Sequence, residues 1–313
     1  MQRTLEYTIT GIHDGVTIER FLRESGYSHH IITHLKKTQD GITCNGVWAY
    51  ANHILQEHDL LVINITENVS SENIVPIKMP LDIIYEDKDI MVLNKPADMP
   101  IHPSQNNYDN TLANGVAYYF AEQNIPYTYR CINRLDRDTT GLLILAKHML
   151  SAAILSQMMK ERQISRTYLA LVVGSLTNDS DTIIAPIGRK NGSTIERIID
   201  EAHGETAITH YKVLQNVTID TSTTSPMDIS LVELSLETGR THQIRVHMKS
   251  IGHPLVGDTL YNPTSTLLNR QALHSHKLSF CHPLTKKPLV FVCPLSDDIN
   301  LLLNNVFLSI KSI

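Results

Sequence analysis

Apolar residues recur at helical spacing in two short stretches near the start of the chain. They are Ile18, Phe21 and Leu22, then Ile31, Ile32 and Leu35 ahead of Lys36 and Lys37, which predicts two short helices. Asp40-Gly41 and Asn45-Gly46 bracket Ile-Thr-Cys, and residues 60–65 are apolar apart from one asparagine. Strands joined by tight turns therefore close a first compact unit over residues 12–65. Residues 67–80 carry Asn-Val-Ser-Ser-Glu-Asn and two prolines, a linker too polar to build a core. Strand patterns resume at residues 81–85 and 90–93, a hairpin whose second strand ends at Asn94-Lys95-Pro96. Helical spacing follows over residues 110–122 and stops at Pro126. A strand is predicted at 141–146, an amphipathic helix at 151–162, a strand at 167–173 and, after the loop Ser222-Thr-Thr-Ser-Pro226, a strand at 229–236. Helices and strands alternate irregularly, and neither Gly-x-Gly-x-x-Gly nor a P-loop occurs. This argues against a doubly wound nucleotide binder and for a mixed, mainly antiparallel α+β domain. The division expected is a small unit at 1–68, a linker at 69–80 and a large domain at 81–313.

Composition bounds the function classes. The 313 residues are 42% hydrophobic and 19% charged, values that exclude a disordered, collagen-like or coiled-coil chain. No apolar run approaches the roughly 18 residues of a membrane span. The start, MQRTLEYTIT, has no apolar signal region, so a cytoplasmic protein is expected. Cys44, Cys131, Cys281 and Cys293 form no C-x-x-C and no zinc spacing, as for unpaired thiols in a reducing compartment. The net charge of −5 taken alone disfavours a nucleic-acid partner, but its distribution is uneven. Residues 238–290 hold seven Lys or Arg against Asp258 alone, a balance of +6, and residues 134–170 add +3. Two basic tracts on an acidic chain can present a local positive face.

Three stretches carry candidate chemistry. In Cys131-Ile-Asn-Arg-Leu-Asp-Arg-Asp-Thr-Thr-Gly141, Asp136 and Asp138 alternate with Arg134 and Arg137 directly before an apolar strand. A carboxylate at that mouth of the core can be kept ionised by a neighbouring arginine; a structural Arg–Asp pair closing a strand end has the same pattern. In Glu237-Thr-Gly-Arg-Thr-His-Gln-Ile-Arg-Val-His247, Arg240, His242 and Gln243 follow a glycine turn, and Arg245 is expected on the strand after it. Its planar fork suits a carboxylate or a phosphate. In Arg166-Thr-Tyr-Leu-Ala-Leu-Val-Val173, Tyr168 shares a strand face with Ala170 and Val172.

Six pieces in this order resemble the RluA family of RNA pseudouridine synthases: Leu93-Asn-Lys-Pro-Ala-Asp-Met-Pro-Ile-His-Pro103, Asn133-Arg-Leu-Asp-Arg-Asp-Thr-Thr-Gly141, Arg166-Thr-Tyr168, Thr238-Gly-Arg-Thr-His-Gln-Ile-Arg245, Gly252-His-Pro-Leu-Val-Gly-Asp258, and Gln271-Ala-Leu-His274 with Phe280-Cys-His-Pro283. The resemblance covers residues 80–297 and implies an α+β pseudouridine synthase domain. Asp136 matches the family's catalytic aspartate, Tyr168 its base-stacking tyrosine and Arg245 the arginine paired with that aspartate. Lys95, His102, Asn133, Arg134, Leu135, Arg240, His242 and Gln243 lie in the matched motifs and are the expected substrate contacts. The implied reaction breaks the glycosidic bond of a uridine in structured RNA (rRNA or tRNA), turns the uracil and rejoins it through C5, without metal, redox cofactor or nucleotide. The expected protein is a monomer that contacts no membrane. Where the family usually has His-Arg-Leu-Asp, this chain has Asn133, which bonds as imidazole does but cannot titrate near neutrality.

The first unit resembles an S4 RNA-binding domain at Ile18-Glu-Arg-Phe-Leu-Arg23, Gly26-Tyr-Ser28, Gly41-Ile-Thr-Cys-Asn-Gly46 and His58-Asp-Leu-Leu-Val62. His29 and His30 stand where that resemblance expects basic residues, and the balance through residue 70 is −3, so few phosphate contacts are expected from it. Two other classes stay open at this point: a catalytically silent RNA-binding or RNA-folding protein on the same scaffold, and a glycoside or nucleoside hydrolase, which would need a second carboxylate such as Asp138.

Overall fold

The computed structural model describes residues 1–219 and 226–310, so the loop expected at 222–226 lies, except for Pro226, outside the described residues. The first unit contains β1 (Gln2–Thr8), α1 (Ile18–Glu24), α2 (His29–Lys37), β2 (Ile42–Cys44), β3 (Val47–Trp48) and β4 (Leu60–Thr66), with sheet order β1-β4-β2-β3. Both helices start where their spacing predicts, because the hydroxyls of Thr17 and Ser28 accept the N–H groups of Arg20 and Ile31. Strand β1 is an addition to the sequence reading. Only Leu5 and Tyr7 mark its inner face, and it forms because β4 offers an edge that it pairs with from Gln2↔Thr66 to Thr8↔Leu60.

The rest of the chain supplies β5 (Asp82–Glu86), β6 (Ile90–Lys95), α3 (Leu112–Glu122), β7 (Thr140–Ala146), α4 (Met149–Lys160), β8 (Ser165–Val173), β9 (Ser180–Ile184), β10 (Ile187–Arg189), β11 (Arg197–Ile199), β12 (Ile208–Ile219), β13 (Met227–Leu236), α5 (Gln243–Ser250), β14 (Leu273–Cys281), β15 (Pro288–Val292) and α6 (Asp297–Ile310). Nine strands form one sheet in the order β5-β6-β7-β14-β8-β13-β12-β9, with β15 added on β14. Among the described residues only the β14–β7 pairing of this sheet is parallel, so the mixed, mainly antiparallel α+β class is the observed one. No helix among the described residues is long and apolar enough to cross a membrane.

Strand periodicity gives β6 and β7 two apolar faces. On β6 and β7, Ile90, Val92, Leu142, Ile144 and Ala146 face one cluster, whereas Met91, Leu93, Leu143 and Leu145 face the other. The first cluster joins α4 (Leu150, Ile154, Leu155, Met158) to the apolar residues of the amino-terminal unit, among them Leu22, Ile31, Leu61 and Ile63, in one continuous core. The fit is close: Gly26, at φ +90°, has no room for a Cβ, which would lie 2.8 Å from Ile154. Polar clasps reinforce it. Arg3 Nε donates to Asp89 Oδ1 at 2.6 Å, and the Met1 amino group donates to the carbonyls of Glu67 (2.6 Å) and Pro126 (3.0 Å). Residues 67–80 hold no helix or strand, yet they are tied down. Glu67 pairs with Arg130, the hydroxyls of Ser70 and Ser71 accept the N–H groups of Tyr127 and Tyr129, and Asn114 Nδ2 donates to Val75 O at 2.8 Å. The segment too polar for a core is a strap held by hydrogen bonds.

Candidate active site

A pocket of about 520 Å³ opens where several element ends converge. Its lining comes from residues 132–136 and Thr139 before β7, the end of α4 with Arg162 just past it, Arg166 and Tyr168 on β8, Leu236 at the end of β13 and residues 237–240 after it, His242 and the first residues of α5, and Leu273. The stretch holding Arg245 is helical, which corrects the strand expected there. Gln243-Ile-Arg-Val-His-Met248 is buried on all sides, so the polar face that marks an amphipathic helix is missing and its alternation of polar and apolar residues imitates a strand.

Helix α5 aims Arg245 at two carboxylates. Its Nε and one terminal nitrogen fork onto Asp258 at 2.7 and 2.8 Å, and the other terminal nitrogen donates to Asp136 Oδ2 at 2.9 Å. Asp258 is fully buried and also accepts the N–H groups of Leu260 and Tyr261. Burial opposes the Arg245 charge, but the bonds to Asp258 and the two carboxylates outweigh it and hold the guanidinium above its ordinary range. The Asp136 side chain keeps a quarter of its surface open to the pocket. One arginine therefore has a sealed carboxylate as anchor and an accessible one as neighbour. Asp258 is the member of this charge cluster that motif reading passed over: it stood in a quoted motif, but a buried ion pair across 13 residues has no periodic signature.

Tyr168 is buried beside this pair, and burial pushes its phenol up, so the hydroxyl stays protonated. His242 takes the left-handed conformation at φ 58° before α5, which sets its Nδ1 2.9 Å from Tyr261 Oη and its Nε2 3.8 Å from Asp136 Oδ2. Burial pushes His242 below its ordinary range against the pull of Asp136, leaving a neutral imidazole at pH 7. Tyr261 also lies under the Arg245 guanidinium, 4.9 Å from it.

Of the expected substrate contacts, Asn133, Arg134, Leu135, Arg240, His242 and Gln243 line the pocket, whereas Lys95 and His102 do not. Lys95 is fully buried and donates to the carbonyls of Pro96 (2.6 Å), Met99 (3.0 Å) and Arg137 (2.7 Å). It locks residues 96–99 onto the Asp136 loop from behind. Burial brings it down to about 7, against the opposing charges of Asp138 and Asp136. His102 is exposed, edge-on to Tyr129. Gln243 lines the pocket, but its amide is saturated. The oxygen accepts from Thr238 Oγ1 and Arg240 N–H, and the nitrogen donates to Ile208 O and Thr209 Oγ1, all at 2.8–3.0 Å, so it braces the turn and has no bond left for substrate. Asn133 likewise spends its amide on β7, accepting Ile144 N–H at 2.8 Å and donating to Leu142 O at 3.4 Å.

The count of charge by tract also needs correction. In the +6 tract Arg245 and Arg270 are buried, Arg270 on Asp298, and of its seven bases only Arg240 and Arg245 reach the pocket. The +3 tract contributes Arg134, Lys160, Arg162 and Arg166 to the lining. Two groups of three metal-capable side chains occur among the described residues, Cys44/His53/Asp59 and Asp87/Asp89/His282; neither lines the pocket. In the second, His282 already donates to Asp87 at 2.9 Å.

The family model described as RNA pseudouridylate synthase matches residues 89–250, which contain Asp136, Tyr168 and Arg245. An uncharacterised RNA pseudouridine synthase of Bacillus subtilis, YjbO, is 38% identical over 288 residues, covering 92% of this chain and 98% of the relative. Ribosomal large subunit pseudouridine synthase D of Nitrosomonas europaea is 38% identical over 250 residues, covering 77% and 69%. The solved structure of Human RNA Pseudouridylate Synthase Domain Containing 1 aligns with a TM-score of 0.56 at 27% identity, over 73% of this chain and 95% of that one. With the motifs in order, the sheet they sit on and these likenesses in agreement, the chain belongs to the RluA family of RNA pseudouridine synthases.

Proposed function

We propose that Asp136 is the catalytic carboxylate of this isomerase, that Arg245 holds it, and that Tyr168 covers the face of the target uracil. The observation that carries the reading is the Asp258–Arg245–Asp136 chain, which ends in a carboxylate open to the pocket. Cleavage of a glycosidic bond builds positive charge on the sugar, and an oriented carboxylate beside it stabilises that charge without reorganisation. A uridine inside a stack is out of reach, so the target base is flipped into the pocket and stacked on an aromatic ring. Neutral His242 and the Tyr168 hydroxyl are placed to hydrogen-bond the turning base. Arg134 and Arg240 on the rim hold the flanking phosphates. The likeness to the Nitrosomonas ribosomal large subunit pseudouridine synthase favours large-subunit ribosomal RNA as substrate. On this reading the protein is a cytoplasmic monomer that needs no metal or cofactor, and residues 1–68 form an S4-like unit that makes few phosphate contacts of its own.

Asp136→Asn tests the assignment, because it is nearly isosteric and removes only the charge. Tritium release from RNA labelled at uridine C5 should fall at least about a thousandfold, equivalent to about 4 kcal/mol in the barrier, with RNA affinity within a few-fold of the parent. Asp138→Asn should retain most activity. A tenth of the parental rate in Asp136→Asn would remove Asp136 from the chemistry.

A further inference from the structure

Two of the three exposed arginines that line the pocket have carboxylate partners; Arg134, the third, has none among the described residues. Arg162, with just over half its side chain in solvent, pairs with Glu237, and Arg240 pairs with Glu205. Arg166 is the reverse. It is 8% exposed, lines the pocket, and among the described residues has no carboxylate partner. One terminal nitrogen donates to Thr238 O at 3.3 Å, and its Nε is buried with no hydrogen-bond partner. The space it occupies is kept clear by Gly239, where an added Cβ would lie 3.0 Å from the guanidinium. A buried cation with an unused donor is costly unless an anion completes it.

Resting on the reading of the pocket above, we propose that Arg166 is an anion subsite inside it, taking a backbone phosphate of the flipped nucleotide. Arg166 and Tyr168 are two residues apart on β8 and line the same pocket, so their backbone positions are separated by about 6.6 Å at the rise of a strand. One nucleotide spans that distance from base to phosphate. Uracil on the phenol and its own phosphate on the guanidinium are therefore compatible with a single bound residue. The planar fork suits two phosphate oxygens at once. Arg162 and Arg240 first have to leave Glu237 and Glu205, whereas Arg166 displaces no carboxylate.

The test compares Arg166→Met and Arg166→Lys with the parent, on ribosomal RNA transcripts. RNA affinity is read in the Asp136→Asn background, where turnover is irrelevant, so failure of the catalytic assignment cannot imitate failure of this one. Arg166→Met should weaken RNA binding by more than about tenfold and reduce the slope of log affinity against log salt by about one. Because the side chain has no carboxylate to strand, the thermal midpoint should not fall. In the parent, inorganic sulfate should raise that midpoint, and in Arg166→Met this gain should be lost. Arg166→Lys should keep the salt slope and recover part of the affinity. Arg166→Met with parental affinity and slope, or with a lowered midpoint and an unchanged slope, would overturn the proposal and make Arg166 a packing residue.

Discussion

The two faces of the nine-stranded sheet use the same strands for opposite purposes. One face is mainly apolar: alternate residues of β6 and β7 meet α4 and, beyond it, the amino-terminal unit, in a core that ignores the expected boundary at residue 68. The other holds its own apolar cluster around α3 and α5, and this cluster runs into a pocket where an arginine, two aspartates, a tyrosine and a histidine gather with little solvent. Apolar packing is forgiving in chemistry and spreads over many residues, so the first face should report almost wholly in stability. Buried charges are directional and few, so the second should report in activity, and in stability only where an ion pair is left uncompensated.

The harshest test of that contrast is removal of residues 1–66. An independently folding unit on a flexible tether would leave the remainder intact, but here Leu150, Ile154, Leu155 and Met158 would lose their cover. Loss of soluble folded protein, or a large fall in melting temperature, is expected; an unchanged midpoint would show that the shared core is only apposition.

Arg245→Leu should break the division from the other side. It strands a fully buried Asp258, costing on the order of 3 to 5 kcal/mol, and should abolish turnover as well. Arg245→Lys should recover stability better than rate, since an ammonium cannot fork. Full activity in the Leu variant, measured by tritium release, would separate this arginine from the site.

Tyr168→Ala should lower turnover by about a hundredfold through loss of the stacking face, worth roughly 1 to 3 kcal/mol per base. Tyr168→Phe should lose less. Near-parental rates in both would return Tyr168 to the apolar cluster it also belongs to.

On the apolar face, the clasp of Asp89 with His148 and Arg3 predicts a pH effect. Burial raises this carboxyl, but the hydrogen bonds from His148 and Arg3 prevail and bring it down to about 2 from 3.8. With a depressed folded-state pKa, the stabilisation is fully present above about pH 4 and is lost as the pH falls through about 2, amounting to about 2 kcal/mol. Asp89→Asn should lose that amount at pH 7 and almost nothing at pH 2, without change in kcat. A loss of equal size at both pH values would contradict it.

The smallest effect is expected from Asn133→His. Since the Asn133 amide is bonded to β7, activity should stay within a few-fold and show no new limb near pH 6 to 7. A new limb would mean that an imidazole there reaches the chemistry.

Much of this molecule was legible residue by residue. The helices capped by Thr17 and Ser28, the hairpin of β5 and β6, the buried strand β7 and the order of six motifs all follow from patterns within a few residues of each other, where spacing, turn residues and caps act locally. What depended on distant partners was not. β1 needed the edge of β4, and α5 looked like a strand because burial on every side erased its helical stripe. Lys95 and Gln243 looked like substrate contacts because a polar residue in a motif does not reveal that neighbouring carbonyls and amides have already used its bonds. The balance of +6 could not show that two of its arginines are sealed in ion pairs.

The sequence by itself determined the class of fold, the family and the residues able to do its chemistry. Only the tertiary structure decided which are free to do it. Asp136 and Asp258 are both carboxylates on one arginine, and the motif that singled out Asp136 does not tell which of the two is open. Chain segments 109 and 13 residues from Arg245 close on it, and the closure buries one carboxylate completely while leaving the other open to the pocket. Desolvation and access depend on everything that surrounds a side chain, and so they exist only once the chain has folded.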